Sequence, residues 1–262
     1  MPYVHGLHIE AEDAVNTEQV RLADEGLILN VIVPRTPRIS NHTDFDVLRL
    51  NPRVNLQFIH QGEEIPGADL VILPGSKSTI GDLKWLYANG WKDYLLKHLR
   101  YGGKVIGICG GYQMLGNAIS DPDGIEGRPG RYKGLGFLNV ETEMDGNKRT
   151  VAVAGHEKKS GLDVSGYEIH IGTTYGPDCD PGWLEIDGRS EGAIDPTGRI
   201  KGCYVHGLFG SDAFRRSVLS DLGATESDHG FEPSVDAALD ALATHLEANM
   251  PVEDLLALAG DV

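Results

Sequence analysis

Three short apolar runs constrain the fold of this chain more than any other feature. They occupy 27–33, 68–73 and 104–108, and each is a nearly continuous series of apolar residues. A strand with one solvent-exposed face would instead alternate apolar and polar residues. Continuous runs of this length are typical of parallel strands that are buried on both faces. Each run stops abruptly at a proline, glycine or cysteine. We therefore predict an α/β fold with a mostly parallel central sheet, whose ligands lie beyond the carboxyl ends of its strands.

The remaining segments extend this prediction. Glycine is frequent from 124 to 195, and the short alternating runs there predict added antiparallel strands. Apolar residues at helical spacing predict one helix from 79 to about 100 and another after Pro233. The other predicted elements are strands over 44–50, 54–59 and 201–209 and a short helix over 251–258.

The charge and the cysteine content disfavour several classes of function. Lys and Arg number 23 against 39 Asp and Glu, a net charge of -16, so we expect no nucleic-acid partner. The three cysteines, Cys109, Cys179 and Cys203, are too irregularly spaced for a disulfide framework. We recognise no apolar segment of membrane-spanning length and no basic stretch leading into an apolar one at the start. We expect a cytoplasmic protein without a membrane partner.

A cysteine follows the third apolar run in the pattern G-x-C-x-G, formed by Gly107, Cys109 and Gly111. This is the cysteine counterpart of the G-x-S-x-G nucleophile elbow, in which a sharp turn between strand and helix leaves no room for neighbouring side chains. Backbone N–H groups at the start of the following helix would favour a thiolate and later an oxyanion. The alternative is a buried structural cysteine, because free cysteine is among the most buried residue types.

A nucleophilic thiol needs a base, and His206 is the best candidate because it lies at the end of the predicted strand 201–209. Strand ends of one sheet can meet, so the pairing with Cys109 is an inference from topology. Most histidines have a structural or surface role, and the joint placement of the two residues favours the catalytic interpretation.

The segment 73–79 supplies a glycine turn after a buried strand. Backbone N–H groups at Gly75, together with Gly110, could form an oxyanion hole. We reject a phosphate-binding P-loop, because Ser76 separates Gly75 from Lys77 and the glycine that the motif requires earlier is Leu70. A polar turn that caps the helix beginning near Thr79 is the alternative.

Two further polar residues, Glu168 and His170, lie two positions apart on one face of a predicted strand. They could contact the amine and carboxylate of an amino-acid substrate, or they could orient His206. The spacing of His156, Glu157 and His170 fits no metal-ligand pattern, so we expect no metal.

Taken together, the stretches 73–79, 107–116, 167–172 and 204–209 resemble the class I, triad-type glutamine amidotransferase domain, and within it the branch found in cobyric acid synthases. The resemblance implies a three-layer, flavodoxin-like fold. It also implies that Cys109 attacks the side-chain amide of glutamine, that His206 is the base, and that Gly75 and Gly110 hold the oxyanion. Gly111, Gln113 and His170 complete the oxyanion and substrate-binding set that it implies.

The resemblance also carries expectations about domains, cofactors and partners. Residues 1–20 would be a lead-in from an ATP-dependent synthetase domain, and 21–262 the amidotransferase domain. ATP and Mg²⁺ would act only in that synthetase domain, so no cofactor is expected in this chain. Ammonia from glutamine would pass to the synthetase domain, where activated carboxylates of a corrinoid substrate become amides.

One position departs from the wider family. Many triad amidotransferases have His-x-Glu at the base, but position 208 is Leu here, as is usual in the cobyric acid synthase branch. The residue that orients His206 is therefore open, and Glu168 is our candidate. Two other functions also remain open: the glutaminase subunit of a Mur-ligase-type lipid II isoglutaminyl synthase, and a non-catalytic regulatory domain of the same fold.

Overall fold

The computed structural model describes residues 28–224 and 231–251. The predicted lead-in 1–20 and all but the first residue of the predicted helix 251–258 lie outside these ranges. Residues 28–224 belong to one compact unit, and the last helix belongs to another and is described by itself.

The strands of the described residues are mostly short. In chain order they are β1 Leu29–Pro34, β2 Ile39–Ser40, β3 Val54–Ile59, β4 Leu70–Leu73, β5 Gly75–Ser76, β6 Lys104–Ile108, β7 Ala118–Asp121, β8 Gly130–Lys133, β9 Glu141–Glu143, β10 Arg149–Glu157, β11 Asp163–His170, β12 Thr173–Tyr175, β13 Leu184–Ile186, β14 Arg189–Glu191, β15 Ala193–Ile194, β16 Ile200–Cys203 and β17 Val205–His206.

Helices connect the strands in the first half of this unit and follow them at its end. They are α1 Asp46–Arg49, α2 Thr79–Ala88, α3 Trp91–Arg100, α4 Gly110–Leu115, α5 Asp212–Ser220 and the separate α6 Phe231–Asn249, with 3-10 turns at His42–Phe45, Pro177–Cys179 and Leu208–Gly210. None of the helices in the described ranges combines the length and apolar character needed to cross a bilayer.

The central sheet has the order β15-β16-β6-β4-β1-β3. All neighbouring pairs are parallel except the edge pair of β15 and β16. Every residue of β4 is buried, as expected for a strand covered on both faces. The predicted mostly parallel α/β sheet is confirmed.

The added antiparallel strands are also confirmed. A five-stranded sheet has the order β14-β13-β10-β11-β17, and a four-stranded sheet has the order β12-β9-β7-β8, in which only β7 and β9 run parallel. A two-stranded ribbon joins β2 to β5 and pairs Ser40 with Gly75.

The register of the central sheet places the carboxyl ends of three strands together. Leu73 at the end of β4 lies beside Gly107 of β6, and Ile108 of β6 lies beside Cys203 of β16. The residues that follow these strand ends therefore share one edge of the sheet.

Three predicted elements were wrong. The strand predicted over 201–209 is two strands in different sheets, β16 and β17, followed by the 3-10 turn Leu208–Gly210. The segment 44–50, predicted as a strand, is helical: the 3-10 turn His42–Phe45 leads into α1. The buried polar residues Asp44 and Asp46 alternate with Phe45 and Val47, and this alternation is the pattern expected of a strand. The helix predicted over 79–100 is two helices, because Gly90 adopts a φ of +77° between α2 and α3.

Candidate active site

Cys109 lies in the turn between β6 and α4 with φ +51° and ψ -108°. A positive φ is uncommon for a residue with a side chain and marks a strained backbone, which surrounding structure must hold in place. The Cys109 N–H donates to Cys203 O at 2.8 Å, and Gln113 N–H donates to Cys109 O at 3.1 Å. The turn is therefore fixed to the neighbouring strand and to its own helix.

The glycines that flank the cysteine are required by space. A Cβ at Gly107 would lie 2.7 Å from the carbonyl carbon of Gly111, and a Cβ at Gly111 would lie 2.1 Å from Leu73 O. Both contacts are with backbone atoms, which cannot rotate away. The turn has the crowding that the G-x-C-x-G pattern predicts.

His206, on β17, is almost fully buried, with 1% of its surface exposed. Its Nδ1 lies 2.7 Å from Oδ2 of Asp44, and the other oxygen of the same carboxylate accepts the Gly207 N–H at 2.7 Å. Asp44 belongs to the 3-10 turn before α1 and is itself buried. The carboxylate therefore fixes both the imidazole and the backbone beside it.

The electrostatics of this pair favour a protonated imidazole. Burial lowers the pKa of His206, but the hydrogen bond to Asp44, the interaction with Cys109 and the charges of both groups raise it to about 10. The other ring nitrogen, Nε2, is buried and has no hydrogen-bond partner among the described residues. It remains available to exchange a proton with a group at Cys109.

An aromatic ring completes the surroundings of the histidine. Tyr167 of β11 lies directly opposite His206 of β17, and their rings stack with centroids 5.3 Å apart. The Tyr167 hydroxyl accepts a hydrogen bond of 2.8 Å from Nδ2 of Asn41. The imidazole is therefore held on one face by Tyr167 and at one edge by Asp44.

The expectation that Glu168 orients His206 is wrong. Glu168 lies opposite Val205 and so faces the other side of the sheet from His206. Its carboxylate pairs with Arg149 and Arg189, and one oxygen lies 3.8 Å from Nε2 of His170. Burial raises the pKa of Glu168, but these three partners lower it to about 2. The residue that holds His206 is Asp44.

The predicted oxyanion loop lies next to these residues. A Cβ at Gly75 would be 3.0 Å from Cε1 of His206, and a Cβ at Gly110 would be 3.0 Å from Ser76 N. The structure thus brings Gly75, Gly110, Cys109 and His206 to one place. That the two glycines hold an oxyanion stays a prediction.

A buried aspartate fixes the shape of this loop. Asp82 of α2 accepts hydrogen bonds from the Ser76 hydroxyl at 2.6 Å and from the Arg38 N–H at 3.1 Å. It therefore joins the segment that leads into β2 to the segment that contains β5, which the ribbon pairing also connects.

Gln113 lies beside the cysteine but uses its side chain internally. Its Nε2 donates to Ile171 O at 2.9 Å and to the Tyr204 hydroxyl at 3.1 Å, and its Oε1 accepts from the Thr79 hydroxyl at 3.2 Å. His170 stacks on Tyr204 with ring centroids 3.7 Å apart. Both residues line the cavity next to Cys109, where a role in binding substrate stays a prediction.

This cavity has a volume of about 360 Å³. It opens beside Cys109 and reaches the residues at the end of β11, the start of α2 and the loop after β7. Its charged lining consists of Glu126, Lys77 and Lys148, and its size falls within the range of small-molecule sites. A small zwitterion would meet groups of both signs here.

Sequence reasoning did not identify Asp44 or Tyr204. Asp44 is 162 residues from His206, so no local motif joins them. The spacing of Phe45 and Leu48, both buried, was the available signal that this segment is helical and not a strand. A helical interpretation of this segment would have placed Asp44 in a turn at the start of a helix, where its carboxylate could contact another segment.

Comparisons with known proteins indicate the family to which the chain belongs. The family model for the CobB/CobQ-like glutamine amidotransferase domain matches residues 30–214. A cobyric acid synthase from Ruegeria sp. is 51% identical over 236 residues, 90% of this chain and 49% of the relative. A cobyric acid synthase from Vibrio parahaemolyticus is 46% identical over 260 residues, 97% of this chain and 53% of the relative. The chain thus spans about half the length of these curated relatives.

A solved structure shows the same fold at lower identity. A crystal structure of a glutamine amidotransferase aligns with a TM-score of 0.51 and 18% identity, covering 73% of this chain and 97% of that chain. With the family model matching well over half of its residues, the chain belongs to the CobB/CobQ-like glutamine amidotransferase domain family.

Proposed function

We propose that this chain hydrolyses glutamine through a thioester on Cys109 and supplies the ammonia to an ATP-dependent synthetase domain. The observation that carries the proposal is the strained Cys109 at the edge of a cavity, next to a buried His206 that Asp44 holds at 2.7 Å. A structural cysteine would need neither the strain nor the paired base.

In the first half of the reaction, Nε2 of His206 already holds the proton of Cys109, as its raised pKa favours, and the Sγ thiolate attacks the amide carbon of glutamine. The negative charge on the amide oxygen is stabilised by backbone N–H groups at Gly75 and Gly110. The carbon–nitrogen bond then breaks, and His206 returns its proton to the leaving ammonia. A γ-glutamyl thioester remains on Cys109.

Water completes the cycle. His206 takes a proton from a water molecule, the oxygen attacks the thioester carbon, and the carbon–sulfur bond breaks. Glutamate leaves, and the Cys109 thiolate and the protonated His206 are restored as a pair. Glutamine and water have become glutamate and ammonia, with no cofactor in this chain, and we assign the need for ATP and Mg²⁺ to the synthetase domain.

The acceptor of the ammonia is proposed from the relatives. The names of the curated relatives favour the cobyric acid synthase branch over a Mur-ligase-type partner. We therefore propose that the partner is the synthetase domain of a cobyric acid synthase, where activated carboxylates of a corrinoid become amides.

Labelling of the cysteine tests the proposal. We expect a diazo-ketone analogue of glutamine, 6-diazo-5-oxo-norleucine, to form one covalent adduct, located at Cys109 by peptide mass spectrometry. The variants Cys179→Ser and Cys203→Ser should be labelled as the wild type is, and Cys109→Ala should be neither labelled nor able to release ammonia from glutamine. Labelling of Cys179 or Cys203 with Cys109 untouched would refute the mechanism. A wild type that neither reacts nor releases ammonia would favour the regulatory domain.

A further inference from the structure

We infer that Asp82 is a positioning residue for the reaction: its carboxylate holds the oxyanion loop, residues 75–78, where the loop can stabilise the tetrahedral intermediate on Cys109. The inference rests on the proposed function. Asp82 lies in the first turn of α2 and is almost fully buried, with 1% of its surface exposed. Within the described residues its side chain bonds to Ser76 and Arg38, and not to Cys109 or His206. It therefore acts on the reaction through the loop.

The oxyanion loop needs an anchor beyond its own strand pairing. That pairing is the ribbon of β2 and β5, with two residues in each strand. A two-stranded ribbon is only marginally stable by itself. Gly75 adds backbone freedom, because glycine loses more conformational entropy than any other residue when its backbone is fixed. A backbone N–H that turns away from the intermediate no longer stabilises its charge, so a fixed loop is a requirement of the chemistry.

The first oxygen of Asp82 supplies this anchor. Oδ2 accepts the Ser76 hydroxyl at 2.6 Å, and the Ser76 hydroxyl oxygen in turn accepts the Ser78 N–H at 2.9 Å. A hydrogen bond to a carboxylate is stronger than one between neutral groups. The loop is therefore held through its side chain and through its backbone at once.

The second oxygen ties the loop to the segment that carries the partner of His206. Oδ1 accepts the Arg38 N–H at 3.1 Å, and Arg38 O accepts the Lys77 N–H at 2.9 Å. From Arg38 the chain runs through β2 into the 3-10 turn that contains Asp44. One carboxylate thus fixes the oxyanion loop against the segment that orients the base.

The loop lies so close to the nucleophile that a small displacement matters. Ser76 N would lie 3.0 Å from a Cβ at Gly110, the residue that follows Cys109. A Cβ at Gly75 would lie at the same distance from Cε1 of His206. A misplacement of about 1 Å in an active site can lower the rate about 100-fold. Loss of the bonds from Asp82 should therefore slow the steps in which the oxyanion forms.

The variant Asp82→Asn tests this assignment, because asparagine has one acceptor oxygen and an NH2 group that accepts no hydrogen bond. It can keep the bond to Ser76 or the bond to Arg38, but not both. We expect kcat for glutamine to fall about 10- to 100-fold with KM changed less than about threefold, since the intermediate and not the bound substrate is affected. Asp93→Asn, an exposed carboxylate in the first turn of α3, is the matched control and should change neither value.

Alkylation of Cys109 by iodoacetamide separates positioning of the loop from a general loss of structure. The thiolate attacks a saturated carbon and iodide leaves, so no oxyanion forms. We expect the alkylation rate of Asp82→Asn to lie within about threefold of the wild-type rate. An alkylation rate that falls as far as kcat, or an unchanged kcat, would overturn the assignment.

A second variant removes the same hydrogen bond from the side of the loop and leaves α2 intact. Ser76→Ala should lower kcat about 3- to 10-fold, again with little change in KM or in the alkylation rate. A Ser76→Ala protein with wild-type kcat would overturn the assignment even if Asp82→Asn does not fold.

Hydrogen exchange, followed by peptide mass spectrometry, tests the anchor without any measurement of activity. In Asp82→Asn the amides of Lys77 and Ser78 should exchange at least about tenfold faster than in the wild type, while those of β6 exchange at an unchanged rate. Unchanged exchange at Lys77 and Ser78 would overturn the assignment. If iodoacetamide modifies wild-type Cys109 but glutamine is never hydrolysed, the proposed function fails, and the exchange rates still decide whether Asp82 holds the loop.

Discussion

The hydrogen bond between Asp44 and His206 leads to a quantitative prediction for Asp44→Asn. Asparagine can still accept a hydrogen bond from Nδ1 through its side-chain oxygen, but it carries no charge and its NH2 group cannot accept the Gly207 N–H. Burial lowers the pKa of His206, and Asp44 and Cys109 together raise it to about 10 against an ordinary value of 6.5. That difference corresponds to about 5 kcal/mol. If the charge of Asp44 supplies about half, its loss destabilises the protonated imidazole by roughly 2 to 3 kcal/mol.

The loss should appear in catalysis, because His206 carries the thiol proton when Cys109 attacks. We expect kcat/KM for glutamine to fall about 100-fold. The matched control is Asp46→Asn, two residues later, where burial raises the pKa of the carboxyl and the carboxyl pairs with Arg49 at 3.2 Å. Its effect on kcat/KM should be less than about threefold, since Asp46 does not bond to His206.

The pH dependence separates this role from a general loss of structure. A histidine whose pKa is raised in the folded protein stabilises the fold fully below pH 6.5, and this contribution disappears as the pH rises through about 10. Urea unfolding should therefore show the wild type more stable than Asp44→Asn at pH 6, with a smaller difference at pH 10. A folded Asp44→Asn protein with wild-type kcat/KM, or a stability difference that does not change with pH, would refute the reasoning.

Three further predictions concern the elbow and the buried carboxylate. Gly111→Ala should lower the free energy of unfolding in urea by about 3 kcal/mol or more, because the new Cβ would lie 2.1 Å from Leu73 O, while Gly146→Ala, with nothing within 4 Å, should be close to neutral. Cys109→Gly should be about 1 kcal/mol more stable than Cys109→Ala in calorimetry, since only glycine adopts φ +51° without strain; equal stabilities would contradict the strain. Glu168→Gln should lower the free energy of unfolding at pH 7 by about 2 kcal/mol, a value reduced because its two arginine partners are half-exposed. The difference in unfolding free energy between the two proteins should shrink as the pH falls from 4.5 to 2. A difference that stays constant would argue against an ionised Glu168.

The central sheet and the elbow could be predicted because both depend on short-range patterns. The apolar run before Cys109 specifies a buried strand, and the two flanking glycines specify a turn too crowded for side chains. Each of these signals lies within ten residues of sequence. The prediction of His206 assumed that a strand of the central sheet carries it. Instead β16 ends at Cys203 beside β6, and His206 follows on β17, which pairs antiparallel with β11.

The partner of the histidine could not be predicted in the same way. Asp44 lies in the 3-10 turn that follows β2, and β2 pairs with β5, so contacts between residues far apart in sequence bring it to His206. Glu168 had the more suggestive sequence position, but the pleat of β11 directs it away from His206. The arginines that neutralise it come from β10 and β14, which no local pattern connects to it.

The separation of Asp44, Cys109 and His206 along the chain has a consequence for protein synthesis. During translation Asp44 is added to the chain before Cys109, and His206 is added 162 residues after Asp44. β16, which fixes the Cys109 N–H, is also made after the elbow. Until these later segments are made, Cys109 lacks both its base and the hydrogen bond that fixes its N–H. The proposed hydrolysis of glutamine therefore cannot begin before β17, which carries His206, has been made and has paired with β11.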